Sequence, residues 1–135
     1  MTRAVRGIVL RESMANNLLP EGLPVHVRRA YPYLVDGRYP VEVLDITMDS
    51  DQCEHVAKKL SAALRPTGYY AHIIDGDEMI ICFPDTVVRI RRGDDVSQEH
   101  ARVIGVACGI PRHQMRFEAL FFEDHPKFSP PTVES

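Results

Sequence analysis

No stretch of this 135-residue sequence is apolar for long enough to cross a membrane, and no signal peptide is recognisable. A transmembrane helix needs about 20 mostly apolar residues, whereas the N-terminal segment offers only the run 7–10. Cysteine is also scarce, since Cys53, Cys82 and Cys108 are an odd number, are widely spaced and form no CxxC pair. A secreted disulfide framework is therefore not indicated. We predict a soluble, cytoplasmic protein without a membrane partner.

An excess of positive charge is missing as well. The 16 Lys and Arg residues are outnumbered by 19 Asp and Glu, which gives a net charge of -3. Nucleic-acid surfaces usually need the opposite balance. The densest basic cluster, Arg89, Arg91 and Arg92, is typical of a solvated edge strand, and the preceding MIICFPD lacks the basic-aromatic pattern of an RNA-recognition motif. We predict no nucleic-acid partner, while Arg89 and Arg91 stay candidates for binding a small anion.

Several catalytic motifs are absent. The sequence contains no GxGxxG, GxxxxGK[ST], GxSxG or HExxH, which disfavours dinucleotide, P-loop, serine-hydrolase and zincin functions. The histidines and cysteines show no metal-ligand spacing. Residues 71–85, AHIIDGDEMIICFPD, concentrate acidic groups, but Asp75, Asp77 and Glu78 surround Gly76 as the turn of a hairpin requires. We predict neither a metal nor a cofactor.

Apolar periodicity predicts the secondary structure. Strands are expected at 7–10, 25–30 and 41–48, with Asp36-Gly37 as the turn between the last two. A helix follows over about 50–64, because apolar side chains recur with helical spacing at Cys53, Val56, Ala57, Leu60 and Leu64. Three more strands lie between Tyr69 and Arg91. A second helix is expected to begin near Ser97, with a buried stripe of Ala101, Ile104, Ala107 and Cys108. Residues 117–122 are expected to be extended.

This order predicts an α+β fold. From residue 41 it resembles a ferredoxin-like split β-α-β arrangement, in which two helices cover one face of an antiparallel sheet and extra N-terminal strands are added. Residues 1–128 are expected to form a single domain, and residues 129–135 a flexible C-terminal tail. The second sheet face is half apolar, so either the N-terminal strands or a second subunit should cover it. We favour a homodimer.

Four short motifs carry a resemblance: VLRES at 9–13, GYYAH at 68–72, CFPD at 82–85 and GIP at 109–111. With them the chain resembles a family of small, uncharacterised bacterial α/β proteins, in which a tryptophan usually occupies the position of Tyr69. The resemblance extends over most of residues 7–117. It implies one compact α/β domain and no particular activity.

Two hypotheses of function remain open. The first is a non-enzymatic domain that binds a small ligand or a protein partner through the second sheet face or an edge. The alternative is a small cofactor-independent enzyme of the dimeric ferredoxin-like type. There His72 would transfer a proton near neutral pH, Tyr70 would lie on the same strand face, and Arg89 would hold an anionic substrate. Convergence of these three side chains on one concave pocket would distinguish the two hypotheses.

Overall fold

One antiparallel sheet of six strands organises the computed structural model, which describes residues 3–122. The strands are β1 (Ala4–Leu10), β2 (His26–Val35), β3 (Tyr39–Asp49), β4 (Ala71–Asp75), β5 (Glu78–Phe83) and β6 (Thr86–Arg91). The helices are α1 (Cys53–Ala63), α2 (Asp95–Ala107) and the short α3 (Phe117–Leu120). The predicted α+β class is therefore confirmed. The expected tail, residues 129–135, lies outside the described residues.

The N-terminal strand β1 occupies the middle of the sheet. The strand order is β2-β3-β1-β4-β5-β6, and β1 is antiparallel to both β3 and β4. Strands β3 and β4 are therefore parallel to each other, and α1 connects them across β1 as a split β-α-β unit. This unit is what the fold shares with the ferredoxin-like prediction. The prediction of an extended segment at 117–122 is wrong, because α3 occupies Phe117–Leu120 and no strand follows α2 in the part of the chain described.

The two longer helices lie on opposite faces of the sheet. One core cluster joins Val56 and Leu60 of α1 to Ile80 and Cys82 of β5. A second cluster joins the segment from α2 to α3 to the alternate β5 residues Met79, Ile81 and Phe83. Because successive strand residues point to opposite faces, the prediction of two helices on one face is wrong. The unbroken apolar run of β5 agrees with this arrangement, since a strand covered on both faces does not alternate with polar residues.

Helix α1 buries the predicted stripe. Cys53, Val56, Ala57, Leu60 and Leu64 are all buried, whereas Lys58 and Lys59 are exposed. We call the sheet surface beneath this helix the α1 face and the opposite surface the α2 face. None of the helices described within residues 3–122 is long and apolar enough to cross a membrane.

Helix α2 begins and packs differently from the prediction. Its N-cap is Asp94, whose side chain accepts hydrogen bonds from the amides of Val96 and Ser97, so Ser97 is inside the first turn. At the buried position Gly105 the helix packs closely against Phe83 of β5 and against Met115. A Cβ there would lie 3.0 Å from a Phe83 ring carbon and 2.2 Å from Met115 Sδ. Of the predicted stripe, Ala101 is buried, Ile104 and Cys108 are half-buried, and Ala107 is exposed.

The predicted end of α2 is confirmed. Gly109 has φ +81°, and its amide donates to the Val106 carbonyl while the Ile110 amide donates to the Gly105 carbonyl. This pair of hydrogen bonds is a Schellman motif, which satisfies the last carbonyls of a helix and turns the chain. It directs residues 110–114 back over the α2 face.

Candidate functional site

A cavity of about 540 Å³ lies on the α2 face. It is bounded by β1, β2 and β3 and by the segments that follow α1 and α2. Small-molecule sites have volumes of about 300–1,000 Å³ and mostly apolar walls. The apolar side chains along the sheet are Ile8, Leu10, Tyr33, Val35 and Val41. The cavity is therefore of the right size and character for a small organic ligand.

Tyrosine is concentrated around this cavity. Of the five tyrosines in the sequence, Tyr33, Tyr39, Tyr69 and Tyr70 line it. A tyrosine ring supplies a large apolar surface while its hydroxyl remains available for hydrogen bonds, and such side chains are enriched at binding surfaces. Their convergence from β2, β3 and the segment before β4 depends on the strand order, so sequence spacing alone does not reveal it.

His72 and Tyr70 are brought together on one side of the cavity. Their ring centroids are 6.2 Å apart, and the His72 side chain is almost fully buried on β4. The Tyr70 hydroxyl donates a hydrogen bond to the carbonyl of Gln114, and its ring meets Phe117 edge-on at 5.7 Å. Burial raises the pKa of Tyr70 above its ordinary value. The phenol therefore stays protonated at neutral pH and acts as a hydrogen-bond donor.

One rim of the cavity is closed by contacts between two distant turns. His113 Nε2 lies 2.9 and 3.0 Å from the two carboxylate oxygens of Asp36, and Gln114 Nε2 donates to Asp36 Oδ2 at 2.9 Å. A carboxylate can only accept, so His113 Nε2 carries the proton in this contact. Asp36 and Gly37 both have positive φ, as a two-residue hairpin turn of this type requires. We call this group of side chains the rim contact.

The electrostatics of the rim contact favour an ionised Asp36. Burial by itself would raise the pKa of the Asp36 carboxyl, but the hydrogen bonds from His113 and Gln114 outweigh it. The pKa of Asp36 is therefore below its ordinary value of 3.8. At neutral pH the rim contact joins a carboxylate to two donors, which holds the 112–114 turn against the β2–β3 hairpin.

Arg89 and Arg91 do not reach the cavity. Arg89 pairs with Ile80 across β5 and β6, and its guanidinium donates to Glu54 of α1 at 2.7 Å. Both observations place it on the α1 face, opposite His72. Arg91 lies two residues further along the same strand, with Glu78 3.8 Å away. Of the three side chains proposed for an acid–base enzyme, His72 and Tyr70 therefore lie together at the cavity, and Arg89 lies on the opposite face of the sheet.

The cysteines do not form a nucleophilic site with histidine. Cys82 pairs with Ala71 and His72 pairs with Ile81, so the Cys82 and His72 side chains point to opposite sheet faces. Burial raises the pKa of the Cys82 thiol to about 12, and burial is also the main cause that raises the pKa of Cys53. A reactive cysteine needs the opposite shift. Among residues 3–122, no three His, Cys, Asp or Glu side chains are grouped closely enough to hold a metal ion.

A polar cluster next to the cavity is the feature that sequence analysis missed. Asp45 of β3 is fully buried, and its Oδ2 accepts from Arg28 at 2.5 Å and from Arg29 at 3.0 Å, while the Arg6 guanidinium is 3.7 Å away. The signal in the sequence was a single aspartate within the otherwise apolar VEVLDITM. Its partners lie at least sixteen positions away, so no local pattern connects them.

A scan against protein-family models, a search of curated proteins and a search of solved structures each found no match to this chain. Function is therefore argued from the geometry of the cavity and its surroundings.

Proposed function

We propose that this protein is a non-enzymatic domain that binds a small organic ligand in the tyrosine-lined cavity of the α2 face. The observation that carries the proposal is the cavity of about 540 Å³, with four tyrosines and a continuous apolar strand surface around it. Ligand sites combine such apolar walls with a few polar groups that fix orientation. The polar side chains in its lining are those of Glu12, Asp36, Thr67, His72 and Gln114.

A cytoplasmic location is part of the proposal. Cys53, Cys82 and Cys108 are all free thiols, and unpaired cysteines are the usual state in a reducing compartment. The ligand would therefore be an intracellular small molecule.

The enzyme hypothesis is the second candidate, because His72 and Tyr70 both line the cavity. It is weaker than the binding hypothesis for two reasons. The proposed anion-holding group, Arg89, is on the other face of the sheet, and the Tyr70 hydroxyl already donates to the Gln114 carbonyl.

Ligand binding is tested with a panel of neutral compounds that includes 1-decanol and 1-naphthol. A compound that binds only the folded state raises Tm, with about 2.7 kcal/mol of stabilisation at a hundredfold excess over Kd. Val35→Trp places a large side chain in the cavity and should weaken binding at least about tenfold, equivalent to about 1.4 kcal/mol.

Leu34→Trp is the matched control, because Leu34 is the neighbouring residue on the same strand, is half exposed and does not line the cavity. It should leave affinity unchanged. The proposal fails when no compound in the panel raises Tm, or when Val35→Trp and Leu34→Trp bind equally well.

A further inference from the structure

Next to the cavity, Arg6, Arg28 and Arg29 surround Asp45. We call these three residues the arginine cluster, and their chemistry indicates which kind of ligand the cavity binds. We infer that the ligand is an amphipathic anion, whose apolar part occupies the cavity and whose carboxylate binds the exposed guanidinium of Arg28. This inference rests on the proposed function, since it specifies the ligand of the same cavity.

The arginine cluster and the cavity are adjacent on one sheet face. Asp45 pairs directly with Ile8, and Ile8 lines the cavity. On β2, Arg29 pairs with Asp45, Tyr31 is the next residue on the same face, and Tyr33 of the cavity follows. Same-face residues on a strand are about 7 Å apart. One elongated molecule can therefore reach from the cavity to the arginines.

A β-bulge brings two consecutive arginines to one carboxylate. His26 and Val27 pair with Thr47 and Ile46, but the next pair is Arg29 with Asp45, so Arg28 is an extra residue in β2. In a regular strand Arg28 and Arg29 would point to opposite faces. With the bulge both guanidinium groups donate to Asp45 Oδ2. Bulges are frequent next to binding sites because they redirect a side chain in this way.

The cluster places arginine side chains at the surface above a buried carboxylate. Three guanidinium groups surround one fully buried carboxylate, and the side chains of Arg28 and Arg29 are 55% and 54% exposed. Each guanidinium has five N–H donors in a planar fork that matches a carboxylate. Arg28 donates one of these N–H groups to Asp45 Oδ2, so Asp45 acts as a positioning residue that holds the Arg28 guanidinium at the surface.

Two further observations fit an anion site at the arginine cluster. The Arg29 guanidinium carbon lies 4.9 Å from the centre of the Tyr31 ring, a cation–π contact. Asp45 Oδ1 accepts no hydrogen bond from residues 3–122. The carboxylate therefore has an acceptor left when an arginine turns one of its N–H groups toward a ligand.

The experiment compares decanoate with 1-decanol by isothermal titration, because the two differ in the charged head group. Decanoate is expected to bind about tenfold more tightly, the effect of roughly one charge-assisted hydrogen bond. Arg28→Gln should remove this preference and leave the affinity for 1-decanol unchanged. Arg92→Gln is the matched control, because Arg92 is a similarly exposed arginine paired with Asp77 at the far end of the sheet, and it should change neither affinity.

A salt series gives a second measurement that needs no variant. The preference for decanoate should shrink between low and high salt, since exposed charges are screened, whereas binding of 1-decanol should not weaken. Equal affinities for both compounds at low salt would overturn the inference and leave the proposed function intact. If neither decanoate nor 1-decanol binds, both the inference and the proposed function are overturned. Retention of the preference in Arg28→Gln would also contradict the inference.

Discussion

At the scale of single residues, Asp45 and Leu60 show two reasons for burial. Asp45 is buried because arginines from two neighbouring strands satisfy its charge, and an isolated carboxylate there would be costly. Leu60 is buried because it lies at the centre of the apolar stripe of α1. Residue type predicts the burial of Leu60. It does not predict the burial of Asp45, because that depends on arginine partners that only the fold brings together.

Leu60→Ala tests the α1 core. Leu60 has no exposed surface, so the substitution should lower the free energy of unfolding by about 2–5 kcal/mol through lost apolar contacts and the cavity left behind. The neighbouring Lys59→Ala is the control, since Lys59 is exposed and surface changes stay within about 0.5 kcal/mol. Urea unfolding measures both. A loss below about 0.5 kcal/mol for Leu60→Ala would show that this stripe contributes little to the core.

At the scale of elements, the rim contact joins two turns that the chain separates by 77 positions. The β2–β3 hairpin supplies Asp36, and the 112–114 turn supplies His113 and Gln114. Each turn is formed locally, the first around Asp36-Gly37 and the second by hydrogen bonds from the Gln114 and Met115 amides to the carbonyls of Pro111 and Arg112. Their contact closes the cavity rim, so the shape of the candidate site depends on how two independent elements are placed.

The rim contact predicts a pH-dependent stability difference. The folded-state pKa of Asp36 is lower than its unfolded value of 3.8. Its contribution is therefore fully present above pH 3.8 and is lost as the pH falls through the folded-state pKa. Asp36→Asn should be less stable than the wild type at pH 6, and the difference should narrow at pH values below 3.8. Urea unfolding at several pH values measures it; a difference that stays constant down to acid pH would contradict the assignment.

At the scale of the whole molecule, the sheet is covered unequally. Helix α1 and the segment from α2 to α3 cover β4, β5 and β6 from the two sides, whereas β2 is an edge strand with mostly exposed side chains. The N-terminal strands β1 and β2 are part of the sheet, so they do not fold over its second face as one sequence hypothesis allowed. Exposed apolar side chains occur on the β2–β3 hairpin, at Val27, Leu34 and Tyr39, and on α2, at Val96, Val103 and Val106. Of the two, only the hairpin combines them with an unpaired strand edge, because β2 is at the edge of the sheet described.

The homodimer therefore stays a prediction, with this hairpin as its interface. Val27→Glu should shift the protein toward the 15.3 kDa monomer in sedimentation at micromolar concentration, because a charge is costly in an apolar interface. Val103→Glu is the matched control, since Val103 is an exposed valine on α2 and not on the hairpin. A wild-type protein that sediments as a single 15.3 kDa species would exclude the dimer.

The sequence by itself determined the elements whose causes are local. The stripe from Cys53 to Leu64 predicted α1, the sequence around Gly76 predicted the β4–β5 hairpin, and Gly109-Ile110 predicted the end of α2. Each depends on backbone preferences and periodicity within a few residues. For the candidate site, the same reasoning selected His72 and Tyr70, which lie side by side at the cavity.

Only the tertiary structure decided the rest. Strand β1 lies between β3 and β4, and α1 and α2 lie on opposite faces of the sheet. Arg89 and His72 are therefore separated by the sheet. The tertiary structure also assembled the cavity, the rim contact and the arginine cluster. These features depend on which strands pair and on one extra residue at Arg28. Strand pairing is set by the burial of the whole sheet, and a shift of one residue exchanges its two faces, so local propensity cannot determine it.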